Sequence, residues 1–213
     1  GSVVALVVRK GNPKDIQDWD DLLKPGVDVI TPNPSSSGSA KWNLLAPYSA
    51  ASNGGEDSEA GLDYVRELVR DHIKVNPKSG REATTAFQNG QGDVLVSYEN
   101  EAIFLQKQNA TGTENDQIEY VIPSQTFKIE NPAAVVNTAE DKDAANAFLS
   151  YLFTDDAQRL WAEAGFRPVV GRALACPAGG VPVPVAVGIG DMDALDAAAV
   201  RDAAAAFATA VPF

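Results

Sequence analysis

Short apolar runs at residues 3–8, 27–30 and 93–98 alternate along the chain with longer segments in which apolar residues recur at helical spacing. That alternation constrains the fold more than any other feature. A run of four to eight β-branched residues bounded by turns reads as a buried strand, and the amphipathic segment after it as the helix that returns across the sheet. Helices are expected at 15–23, 39–52, 61–72, 82–89, 99–107, 139–153 and 155–164, with further strands near 74–75, 118–122 and 133–136. Trp42, Leu45, Ala46 and Ala50 form the expected inner stripe of the 39–52 helix, and Trp42 and Trp161 read as core. Elements in this order imply an α/β sheet with helices on both faces.

Charge narrows the function. With 17 Lys and Arg against 29 Asp and Glu, the net charge is −12, and nucleic acid or an anionic membrane surface is a poor partner for such a chain. Any anion it binds must be held by local dipoles in a shielded site rather than by basic side chains. Cys176 is the only cysteine, so no internal disulfide can form. The apolar run at the N-terminus precedes Arg9-Lys10, the reverse of the basic-then-apolar order of a signal peptide.

Asn33-Pro34-Ser35-Ser36-Ser37-Gly38-Ser39 follows the 27–30 strand and opens a helix. First-turn amides of a helix lack intrahelical partners and sit at the positive end of its dipole, so small residues there let an oxyanion approach. A serine-rich cap or loop has the same composition. Two further turns share the strand-end position where α/β sheets collect ligands: Ser79-Gly80-Arg81, and Tyr98 after the 93–97 run. All three supply hydrogen-bond donors, and none supplies a metal cage. Enzyme readings fare poorly. Glu99 and Glu101 are two apart and would not face each other on a helix, where acids in a first turn are ordinary dipole partners. His72, the only histidine, has no nucleophile elbow to serve and reads as a capping or surface residue. Gly90-Gln91-Gly92 precedes a strand instead of following one, unlike a dinucleotide site.

In order along the chain stand Val-Arg-Lys-Gly-Asn-Pro at 8–13, Asp-Trp-Asp-Asp-Leu at 18–22, Lys-Pro-Gly-Val at 24–27, Ile-Thr-Pro-Asn-Pro at 30–34, Ser-Gly-Ser-Ala-Lys-Trp-Asn at 37–43, Gly-Asp-Val-Leu at 92–95, Glu-Asn-Glu at 99–101 and Phe-Arg-Pro at 166–168. As an ordered set, these resemble the periplasmic sulfate-binding proteins of ABC importers, within the type II periplasmic solute-binding proteins. The resemblance covers residues 3 to about 169. It implies a periplasmic-binding-protein-like lobe with a central mixed sheet, divided as a crossing strand at 1–12, a ligand-binding lobe at 13–132 and a return segment at 133–169, with an atypical Ala/Val/Pro-rich tail at 170–213.

By position, the resemblance places sulfate binding on Ser37, Gly38, Ser39, Gly80 and Tyr98, with Arg81 and Glu99 behind them. Ser39 stands where relatives carry a second glycine, and Tyr98 where they commonly carry an indole. Arg81 is expected to tie down a neighbouring peptide or carboxylate, with a direct ion pair to the ligand as the alternative. A lining of N–H and O–H donors suits sulfate, which is unprotonated near neutral pH, and leaves the proton of phosphate without an acceptor, at a cost of roughly 1–3 kcal/mol. The implied partners are sulfate or thiosulfate and a membrane permease, with no nucleic acid, no cofactor, no metal and no enzymatic activity. The implied state is a monomer in the periplasm or anchored at the cell surface. Phosphate and molybdate remain alternatives as ligands, and the effector domain of a sulfur-responsive transcription regulator is an alternative class. Relatives are about half again as long, so the chain is expected to lack a first lobe and to bind sulfate weakly or not at all. In the tail, 181–185 is expected to be extended and 193–210 to be an Ala-rich helix.

Overall fold

The computed structural model describes residues 1–110 and 117–167, so both tail expectations lie outside the described residues. Strand β1 (Ser2–Arg9) can be apolar at nearly every position because it is covered on both faces: Val4, Leu6 and Val8 join one apolar cluster and Val7 the other. It sits inside a mixed sheet with β2 (Val29–Ile30), β3 (Ile73–Val75), β4 (Val94–Tyr98), β5 (Ile118–Val121) and β6 (Lys128–Ile129), in the order β3-β2-β4-β1-β5 with β6 also on β1. β2 runs parallel to β3 and β4, while β1 is antiparallel to β4, β5 and β6. The expected mixed sheet is therefore present.

One face of the sheet carries α1 (Gly38–Ala51) and α2 (Ser58–Glu67), through Leu44, Ala46, Tyr64 and Val65, together with Trp19 and Leu22 of a short 3₁₀ helix at Trp19–Leu23. The other carries α3 (Gly80–Gln88) and α4 (Glu99–Asn109), through Ala83, Phe87, Ala102 and Leu105. Because β2, β3 and β4 are parallel, α1, α3 and α4 all begin at the same edge of the sheet. That edge is where the site is built.

Several expectations are corrected. The helix expected at 15–23 shrinks to its last turn because Asn12 and Asp15 adopt left-handed φ of 44° and 49°. Trp42 and Leu45 are 37% and 39% exposed, while Ala40, Asn43, Leu44, Ala46 and Pro47 form the buried stripe. Trp42 meets Phe127 edge-on with ring centroids 5.8 Å apart, so its apolar surface is shared across the surface of the lobe rather than buried beneath α1. Trp161 is likewise exposed and packs edge-on against Phe166 at 5.3 Å. After α2 the chain makes one π-helical turn, Leu68–His72, which turns His72 inward. Its Nδ1 lies 3.2 Å from the Val27 carbonyl, so His72 is a buried tie rather than a surface or capping residue. The strand expected at 133–136 is replaced by Lys128–Ile129, since Asn131-Pro132 interrupts the pairing and leaves 131–134 exposed. Finally, α5 (Lys142–Tyr151) buries no side chain, and across α5, α6 (Asp155–Glu163) and their link Phe148, Tyr151, Phe153, Leu160 and Trp161 are exposed.

Gly92 enters β4 at φ +61°, and a Cβ there would lie 2.7 Å from Cγ1 of the buried Ile30. Gly92→Ala combines left-handed strain with a core clash. It is expected to lower unfolding free energy by about 2–3 kcal/mol in urea denaturation.

Candidate functional site

The loops leaving β2 and β3 are laced together by backbone and hydroxyl groups. The Asn33 amide donates to the Pro77 carbonyl at 2.7 Å, and the Ser36 hydroxyl to the Lys78 carbonyl at 2.8 Å. This lacing sets the start of α1 beside the start of α3: a Cβ added to Gly80 would lie 3.5 Å from Ser39 Oγ. Ser37 Oγ is 2.9 Å from Ser39 Oγ. Ser37, Gly38, Ser39 and Gly80 thus form one cluster.

Both helix starts offer amides. Ser37 occupies the N-cap of α1, yet its side chain makes no capping bond, so the first-turn N–H groups of Gly38 and Ser39 have no side-chain partner. In α3 the cap is made by Ser79, whose hydroxyl accepts from the Glu82 amide at 3.2 Å. That leaves the amides of Gly80 and Arg81 outside the cap. Tyr98 is the N-cap of α4 and also makes no capping bond. Three positive helix ends therefore face one region, and together they can hold negative charge in a chain whose overall field repels it.

The region is a cleft of about 650 Å³ whose lining includes Ser39, Asn43, Gly80, Arg81, Tyr98 and Phe104. Burial, and secondarily the neighbouring Glu101 carboxylate, push the Tyr98 phenol up to about 12, so it stays a protonated donor well into the alkaline range. Tyr98 also packs against the core cluster beneath α1, so its packing role and its place on the cleft coexist.

One expected role changes. The Arg81 guanidinium makes no hydrogen bond or ion pair among the described residues and stands exposed on the cleft wall, so it ties down neither a peptide nor a carboxylate. Glu99 stands behind the cleft, where it is 5% exposed and accepts from Arg167 Nε at 2.6 Å and Nη2 at 3.0 Å. Nor is the lining made of donors alone. The Glu101 carboxylate borders the cleft, and so do Asn43 and Asn100, whose buried Oδ1 atoms have no hydrogen-bond partner. Asn43 was missed in the sequence, although its position four after Ser39 puts it one turn down the same face of α1. Its Nδ2 is held by the Val96 carbonyl at 2.8 Å, which fixes Oδ1 as the free end. Among the described residues, no three His, Cys, Asp or Glu groups gather as metal ligands.

Residues 1–167 match the family of bacterial extracellular solute-binding proteins. The chain belongs to this family. Within reach of it, the solved structure of the sulfate-binding protein SubI from Mycobacterium tuberculosis H37Rv is 57% identical, covers 80% of this chain and 57% of its own, and has a TM-score of 0.71. The sulfate-binding protein of Synechococcus elongatus is 40% identical over 173 residues, which are 79% of this chain and 47% of that protein. A thiosulfate-binding protein of Pseudomonas aeruginosa is 38% identical over 172 residues, 78% of this chain and 50% of its own. The chain spans about half the length of the curated relatives it matches. The likeness read from the ordered motifs thus extends over the whole described part of the chain.

Proposed function

We propose that this lobe contributes one wall of a sulfate site in a solute-binding protein that hands its cargo to an ABC permease. The observation that carries the reading is the convergence of three helix starts on one cleft, lined there by Ser39, Gly80 and Tyr98, with Ser37 Oγ 2.9 Å from Ser39 Oγ. In this reading Ser37, Gly38, Ser39 and Gly80 give the anion hydroxyl and amide donors, and Tyr98 gives a phenol O–H. Arg81, unpaired on the wall, adds a direct charge contact. The ligand-binding lobe is 13–132, and 1–12 and the return segment from 133 border it. The exposed apolar residues of α5 and α6 form a face for another part of the protein. The protein works in the periplasm or at the cell surface, as a monomer, and performs no chemistry. Thiosulfate shares the shape and charge of sulfate and is the other expected cargo.

A second reading has its own support. The Glu101 carboxylate on the cleft could accept the proton of hydrogen phosphate, which sulfate lacks. Competition between the two anions separates the readings.

With donors on one wall only, the 213-residue chain is expected to bind sulfate at about 1 mM, equivalent to about 4 kcal/mol. Amide chemical-shift titration should show saturable shifts at Ser39, Gly80 and Tyr98, weaker with phosphate. Micromolar affinity, or shifts confined to other residues, would refute this. Because Tyr98 keeps its proton and sulfate carries none, affinity should stay flat between pH 6 and about pH 10. A fall centred near the ordinary tyrosine value would show that the phenol is not held as described.

A further inference from the structure

The first turn of α4 faces two ways. Tyr98, Asn100 and Glu101 border the cleft, whereas Glu99 reaches behind it to Arg167. Arg167 is itself paired with the first residue of β1's approach: its amide donates to the Gly1 carbonyl at 2.7 Å, and the Gly1 nitrogen donates to the Arg167 carbonyl at 2.9 Å. The next residue, Ser2, accepts from the Asn100 amide at 3.2 Å. Gly165 lies against the same helix, since a Cβ on it would come within 3.1 Å of Ile103 and 3.3 Å of the Asn100 carbonyl. Ala164 and Phe166 complete the circuit by lining the cleft.

From this geometry we infer that Glu99 is a positioning residue: through its paired contact with Arg167 it fixes the orientation of the α4 start, and so of Tyr98, relative to the two side-by-side segments at 1–2 and 165–167. The inference rests on the proposed anion site but concerns a residue that does not touch the guest. A bidentate carboxylate–guanidinium pair is planar and defines direction as well as distance. Glutamine cannot reproduce it, because its amide offers one acceptor and would turn a donor towards the guanidinium. Any displacement of 165–167 relative to α4 must break this pair or carry Tyr98 with it. A group at the cleft and the two segments behind it are coupled for that reason.

The test uses the full 213-residue chain as wild type, Glu99→Gln, Tyr98→Phe and the double variant, with inorganic sulfate as the probe. Glu99→Gln alone should weaken sulfate at least about fivefold, and in the Tyr98→Phe background it should add less than about twofold, since the contact it positions is already gone. Full, independent losses in the double variant would mark Glu99 as merely structural and overturn the inference. Arg167→Lys, which keeps the charge but not the planar two-point contact, should weaken sulfate about as much as Glu99→Gln, and affinity within about twofold of wild type would overturn the positioning role. Amide hydrogen exchange without ligand separates this inference from the functional reading. In Glu99→Gln, Asn100 and Arg167 should exchange at least about tenfold faster while Leu6 in mid-β1 is unchanged. Unchanged exchange at Asn100 and Arg167 overturns the coupling even if sulfate binds. Faster exchange there, with no sulfate binding by the wild type, retains the coupling and rejects the sulfate reading.

Discussion

Gly80→Asp should abolish sulfate binding while leaving the lobe as stable as before, or more so. The two effects separate because of where the residue stands. Gly80 is the first residue of α3, so a carboxylate there meets the positive end of that helix and stabilises it by about 0.3–1 kcal/mol. The same carboxylate would project towards Ser39, whose hydroxyl would lie 3.5 Å from the new Cβ. It would occupy the donors meant for the guest and repel a dianion. Losing even two hydrogen bonds to a charged guest costs about 3 kcal/mol, or about two decades of affinity, before repulsion is counted. Sulfate-dependent shifts at Ser39 and Tyr98 should therefore vanish with an undiminished urea midpoint. A Gly80→Asp protein that binds sulfate within threefold of wild type would remove Gly80 from the site.

Arg167→Leu should act on stability. Glu99 is held 5% exposed with both carboxylate oxygens bonded to one guanidinium, so removing Arg167 strands a charge in a place water barely reaches. Breaking one partner of such a pair costs about 3–5 kcal/mol, and the partial exposure of Arg167, at 24%, favours the lower end. Urea denaturation should show a loss of about 3 kcal/mol. In Arg167→Leu with Glu99→Leu much of this should return, because no unpaired charge is left behind. Equal destabilisation in the single and double variants would mean that packing, rather than the pair, sets the cost.

The sheet was legible because its central strands are buried on both faces and therefore continuously apolar, as in Val3 to Val8 and Val94 to Val96. The turns at Ser37 and Gly80 were legible as helix starts, but small residues there serve equally as ordinary caps, so their place at an anion came only from the ordered resemblance. What escaped reading depends on contacts distant in sequence. Trp42 has the spacing of a core residue, but it stays 37% exposed and its ring partner is the half-buried Phe127. His72 is turned inward by a π-helical turn that no residue pattern announces. Glu99 and Arg167 are sixty-eight positions apart, so the expectation that Glu99 stands behind the binding residues could not say which group its carboxylate meets. Asn43 carried a readable signal in its four-residue spacing from Ser39, overshadowed by the neighbouring tryptophan.

The most direct measurement is a crystal structure of the 213-residue chain soaked in selenate, with selenium located by its anomalous scattering. Selenate copies the shape and charge of sulfate. The strongest selenium site should lie between the starts of α1 and α3, with Ser39 and Gly80 amides and the Tyr98 hydroxyl donating to its oxygens. A strongest site elsewhere, or one at this cleft held through Glu101 and not by those donors, would contradict the account.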